Sequence, residues 1–127
     1  MLKRRVDEGE QLIVVVSAMG KTTDLLMENV QSLTTTPRDQ ELALLLTTGE
    51  QQTVSYLSMV LNDIGVASRS MTGYQAGIKT VGHHLKSKIA EINPNIFNEA
   101  FKNHDILVVA GFQGINEDFE LTTLGRG

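Results

Sequence analysis

Two short apolar runs constrain this chain more than any other feature: Leu12-Ile13-Val14-Val15-Val16 and Ile106-Leu107-Val108-Val109-Ala110. Both are rich in β-branched residues and neither alternates with polar ones, the pattern of strands covered on both faces of a parallel sheet. Between them the apolar period is helical. Leu25, Leu26, Val30 and Leu33 predict a helix from about Thr23 to Leu33, with Thr22, Thr23 and Asp24 as capping oxygens. Pro37 can open another helix, striped by Leu42, Leu45 and Leu46, which Thr47-Thr48-Gly49 interrupts. Val54, Leu57, Leu61 and Ile64 then mark a longer helix ending at Gly65. Val66 to Thr72 reads as extended, Ile78 to Ile92 as a hairpin or irregular excursion, and Asn93-Pro94 as the start of a short helix pairing Ile96 with Ala100 and Phe97 with Phe101. The order strand, helices, strand, helix, strand predicts an α/β layered sheet.

At 127 residues the chain is long enough for one ordinary domain or part of a larger one. Hydrophobic residues at 41% and charged residues at 20% argue for a packed core and against a disordered or low-complexity chain. Acidic residues outnumber basic ones 15 to 11, a net charge of -4 that lacks the basic footprint of nucleic-acid binding. The absence of cysteine removes disulfides and thiolate zinc sites and suits the cytoplasm. No apolar run approaches the roughly 20 residues of a membrane-spanning helix, and Asp7, Glu8 and Glu10 spoil a signal peptide, so a soluble protein is expected. No repeat or linker divides the chain, and the closing Thr122-Thr123-Leu124-Gly125-Arg126-Gly127 reads as a cut rather than a natural end.

Several segments invite chemistry. Ser17-Ala18-Met19-Gly20-Lys21-Thr22-Thr23 sits where strand hands over to helix, a place that attracts anions. It is not a phosphate-binding P-loop, because Val15 stands where that motif requires its first glycine. An anion-binding loop and a plain strand-to-helix turn both remain open. Thr47-Thr48-Gly49-Glu50-Gln51 has the spacing of a capping box between Thr47 and Glu50, and equally offers a carboxylate beside hydroxyls. Three glycine turns follow strand-like segments: Thr72-Gly73-Tyr74-Gln75-Ala76-Gly77, Ala110-Gly111-Phe112-Gln113-Gly114 and Leu124-Gly125-Arg126-Gly127. Ligands of open α/β sheets collect at the carboxyl ends of strands, so these turns point to a shared polar cleft. Arg126 between two glycines can approach a carboxylate or phosphate, or be a solvated loop residue. His83-His84 reads as surface or packing rather than a metal site, since adjacent extended residues face opposite ways and no acidic residue lies close in sequence.

Taken together, Val14 to Gly20 with Thr22-Thr23-Asp24, Thr48-Gly49-Glu50-Gln51, the turns at Thr72 and Val108, and Thr122 to Gly127 resemble the aspartokinases, in order and across nearly the whole chain. The resemblance implies the amino-acid-kinase α/β/α sandwich with a mainly parallel central sheet, here as a partial catalytic domain over residues 1–127. It implies ATP- and Mg2+-dependent phosphorylation of the L-aspartate side-chain carboxylate, the step that opens lysine, threonine and methionine biosynthesis, and a homo-oligomeric full-length parent. By the same resemblance Ser17 and Thr23 supply substrate-contacting hydroxyls, Glu50 meets the substrate ammonium as the catalytic-site carboxylate, and Arg126 grips a substrate carboxylate. No nucleotide-contacting residue is assigned. The family's Lys-Phe-Gly-Gly or Lys-Tyr-Gly-Gly strand and its Gly-Ser-Asp-Thr continuation have no counterpart here, and Gly82 to Ser87 departs from its usual pattern. A chain carrying most of the aspartate pocket, and inactive alone, is therefore expected. A kinase with another acyl substrate and a non-catalytic module binding an anionic metabolite are the alternatives.

Overall fold

The computed structural model describes residues 1–125; Arg126 and Gly127 lie outside the described residues. Its elements run α1 (Leu2–Asp7), β1 (Leu12–Val16), α2 (Thr22–Leu33), α3 (Asp39–Asp63), β2 (Ser68–Met71), β3 (Ile78–Val81), β4 (Lys88–Ile92), α4 (Pro94–Ala100), β5 (Ile106–Ala110), β6 (Gln113–Ile115) and β7 (Leu121–Thr123). Three strands form a parallel sheet in the order β1-β5-β2, and four form a second, mixed sheet in the order β4-β3-β6-β7. The α/β expectation and the parallel sheet both hold.

Strand β5 is the axis of the molecule, because its side chains alternate between two cores. Ile106, Val108 and Ala110 pack with Val54 and Leu61 of α3, while Leu107 and Val109 pack with Met71, Ala76 and Ala100 on the opposite face, where Ile96 and Phe97 of α4 close the layer. All five residues of β5 are buried, as its sequence predicts. Strand β1 corrects the same prediction. It is the edge strand of its sheet, and although Leu12, Val14 and Val16 face the α3 core, Ile13 is 46% and Val15 64% exposed. Those two sit in register with Leu107 and Val109, on the face that α4 covers only over the neighbouring strands.

Helix α3 is a second correction. Its 25 residues run unbroken through Thr47-Thr48-Gly49, so Glu50 does not begin a helix and no capping box forms. The Thr47 and Thr48 hydroxyls instead donate back to the Leu44 and Leu45 carbonyls at 2.8 and 2.7 Å, which satisfies them inside the helix. A mid-helix glycine costs about 1 kcal/mol, but Thr47 and Gly49 are buried against neighbouring elements, and that packing outweighs the local preference. In α2, Lys21 rather than a threonine takes the capping position and makes no side-chain bond; Asp24 still sits in the first turn, where a negative charge suits the helix end. The 78–92 stretch is a hairpin with a register shift between Lys79 and Thr80, and Asn93 caps α4 by accepting from the Asn95 N–H.

Candidate functional site

Because β1, β5 and β2 are parallel, their carboxyl ends open on one edge, and the loops that follow them meet there. The Gly111 N–H donates to the Val16 carbonyl at 2.8 Å, joining the end of β5 to the end of β1. Helix α3 leans on the β1–α2 loop at Gly49, where a Cβ would stand 3.0 Å from the Cβ of Ala18 and 3.7 Å from the Thr22 methyl. The β2–β3 turn closes on the other side: a Cβ on Gly73 would lie 2.5 Å from the Gln113 carbonyl oxygen, so the turn admits only glycine without moving. Gln113 links these pieces. Its Nε2 donates to the Thr47 carbonyl at 2.9 Å, and its Oε1 accepts from the Gly73 N–H at 3.0 Å. Phe112, between β5 and β6, holds a left-handed φ of 57° that a large side chain adopts only under constraint, at a cost of about 1 kcal/mol or more.

Glu50 follows Gly49 on α3 and is half-buried, yet its Oε2 is sealed from solvent and has no hydrogen-bond partner among the described residues. Burial pushes its carboxyl above the usual carboxylate range, opposed by a bond to its own backbone. A buried polar atom without a partner is rare in folded chains, because desolvation is not repaid until a donor or cation arrives. Ser17 and Thr23 are exposed, and they bracket the Ala18–Thr22 segment that touches Gly49. The structure thus gathers the Ser17 loop, Glu50, Gly73 and Gly111 to Gln113 around one end of the sheet. Arg126 lies outside the described residues.

The 82–87 segment, which matched nothing clearly by sequence, straps the second sheet. The buried Ser87 hydroxyl donates to the Thr123 carbonyl at 2.8 Å, so its oxygen accepts from Thr122 at 2.9 Å, and Thr122 in turn accepts from Thr80 at 2.7 Å. One proton per hydroxyl fixes this direction along the chain of bonds. The two histidines lie in the turn between β3 and β4 rather than in an extended segment, and each finds an acidic partner in space: His83 meets Asp39 at 2.7 Å and His84 meets Glu120 at 3.0 Å. No group of three or more metal-ligating residues forms among the described residues. The bond from His84, then that from Asn116, holds the Glu120 carboxyl below its usual range.

In the sequence Gln113 and Gly73 stand out only as parts of glycine turns, with no role of their own. The signal was weak: a glutamine after Gly111-Phe112 looks exposed in sequence, and its exposure of only 1% arises because β6 turns back into the sheet.

Known proteins are similar to this chain in sequence and fold. The family model described as Amino acid kinase family matches residues 1–127. Aspartokinase 2 of Bacillus subtilis is 46% identical over 120 residues, covering 94% of this chain and 29% of that protein. The crystal structure of aspartate kinase from Synechocystis superposes with a TM-score of 0.73 at 39% identity, covering 99% of this chain and 20% of that one. E. coli aspartokinase III, solved in complex with aspartate and ADP, shares the fold at a TM-score of 0.56 and 20% identity, over 82% of this chain and 25% of that one. The chain spans about three-tenths of the length of the curated relatives it matches.

Proposed function

The chain belongs to the amino acid kinase family, and from that premise we propose that it forms the aspartate-binding part of an aspartate kinase. The reaction transfers the γ-phosphoryl group of ATP to the side-chain carboxylate of L-aspartate, giving 4-phospho-L-aspartate and ADP. The attacking oxygen is already ionised at neutral pH, since a free aspartate side chain has a pKa of about 3.9. No general base is required, and catalysis reduces to alignment and charge neutralisation.

The observation that carries this reading is the Glu50 Oε2, sealed and unpartnered, on the helical turn whose Gly49 meets the Ser17 loop. An ammonium group supplies what that oxygen lacks, a charged donor that favours the ionised carboxylate. Ser17 and Thr23 then present hydroxyl donors to the carboxylate end of the substrate, and Arg126, proposed on the sequence resemblance alone, suits a carboxylate because its planar fork bonds it at two points. Glu50 orients the amino acid and removes no proton from it. Magnesium takes most of its coordination from phosphates and water in such reactions, and the described residues offer no cluster of ligands for it.

Calorimetric titration of the chain with L-aspartate, L-glutamate and N-acetyl-L-aspartate tests the reading. L-aspartate is expected to bind most tightly, and the acetylated compound, which has no ammonium, at least tenfold more weakly. Equal binding of the two aspartates would remove the role given to Glu50, and no binding of L-aspartate by the folded chain would remove the pocket. With ATP and magnesium present, the 127-residue chain is expected to release no ADP, and aspartate-dependent release would overturn that expectation.

A further inference from the structure

We propose that Gln113 is a positioning residue that sets the helical turn bearing Glu50 against the β2–β3 turn, and so shapes the ammonium end of the pocket. The inference rests on the reading of Glu50 given above. Thr47 lies three residues before Glu50 on α3, close to the same face, so a bond to its carbonyl holds the turn from which Glu50 projects. The other end of the same carboxamide holds the Gly73 N–H. A single planar group therefore spans two elements that touch the site from opposite sides. The task requires a donor and an acceptor on one side chain of this length: glutamate keeps the shape but loses the donor, and methionine keeps the length but loses both.

Two neighbours keep Gln113 in place. Phe112 holds its left-handed backbone immediately before it, which turns the next side chain inward, and Gly73 lacks the Cβ that would collide with the Gln113 backbone. Thr47 donates its own hydroxyl proton to the Leu44 carbonyl, so it is Thr47's backbone carbonyl that receives Gln113.

The test uses Gln113→Met and Gln113→Glu in the full chain, with two readouts: calorimetric affinity for L-aspartate, and titration of the Glu50 carboxyl by carbon NMR. Both variants are expected to weaken L-aspartate by about tenfold, the size of one ordinary hydrogen bond. In Gln113→Met the Glu50 titration should also fall toward the ordinary carboxylate range, as the loosened turn admits water. A purely structural glutamine would lower the melting temperature and leave both readouts unchanged, and that result overturns the proposal. If the unaltered chain binds no L-aspartate, the substrate reading fails while the Glu50 titration still decides the clamp. If neither variant folds, hydrogen exchange on the unaltered chain decides it: protection of the Gly73 N–H and the Gln113 side-chain amide that rises on adding L-aspartate supports the proposal, and unchanged protection overturns it.

Discussion

Glu50 and Glu120 are the same side chain held in opposite ways. Glu120 sits at the rim of the β6–β7 hairpin, accepts from His84 at 3.0 Å and from Asn116 at 3.2 Å, and its carboxyl is lowered. Glu50 lies against the meeting point of three loops, has an oxygen with no partner, and its carboxyl is raised by burial. Both start from the same reference value of about 4.3. What differs is whether the fold itself completes the bonding. A carboxylate already satisfied by its neighbours is in use as structure; one that is desolvated and unsatisfied carries a cost that a ligand can remove, and marks where chemistry is to be expected.

The sharpest way to break this contrast is Glu50→Gln, which keeps the shape and removes the charge. A hydrogen bond to a charged group contributes about 1.5–3 kcal/mol, so L-aspartate should weaken by roughly 10- to 150-fold in calorimetry. Stability should move the other way, with the melting temperature at neutral pH rising, because a neutral amide costs less to bury than a carboxylate. Unchanged affinity together with a fall in melting temperature would make Glu50 a structural residue like Glu120.

Gly73→Ala attacks the contrast through the backbone. The new methyl would stand 2.5 Å from the Gln113 carbonyl oxygen and 2.8 Å from its carbon, so the turn or β6 must shift. Overpacking of this kind costs about 1–3 kcal/mol, readable as a lower urea midpoint. If the midpoint holds, the β2–β3 turn is not seated on Gln113 as described.

The pH dependence follows from the opposite signs of the two shifts. Glu50 binds its proton more tightly folded than unfolded, so its contribution to stability is full below the ordinary carboxylate value and is lost as pH rises through its raised one. Ligand binding runs the other way: an ammonium needs the ionised form, and L-aspartate affinity should increase across that same rise. For Glu120 the contribution is present above the ordinary value and is lost as pH falls through its lowered one. Calorimetry across the acid range that shows a flat L-aspartate affinity would separate Glu50 from binding.

Much of the fold was legible because its apolar periods are long and local. The residues of α2 and α4 and the buried run of β5 follow directly from spacing. Where tertiary packing overrode local preference, legibility failed. Thr47-Thr48-Gly49 carries every mark of a break, and α3 passes through it because those small residues let the β1–α2 loop approach. The runs of β1 and β5 look alike, yet one is an edge and the other a centre, a difference set by strand order rather than composition. In the candidate site, Glu50 was visible as a carboxylate among hydroxyls, but the clamp on its helix was not. Gln113 and Thr47 are 66 positions apart, and only the fold brings them together.

The smallest effect belongs to Glu120→Gln, and it tests whether the rim of the β6–β7 hairpin stands apart from the site. The Glu120–His84 pair is partly exposed, and such pairs contribute little because water screens them and two side chains must be ordered. The turn beneath does not depend on it: the Asn116 side chain accepts from the Asp118 and Glu120 N–H groups at 3.0 and 2.9 Å, and the hydroxyl sequence Thr80, Thr122, Ser87 fastens β7 from the other side. Glu120→Gln should therefore lower the melting temperature only slightly and leave L-aspartate affinity untouched. A loss of affinity comparable to that of Glu50→Gln would mean that the 82–87 strap transmits to the pocket through β7, since α3 packs against that strand. The satisfied carboxylate would then belong to the binding machinery after all, and the division between a carboxylate held for the fold and one held for a ligand would fail at its weaker end.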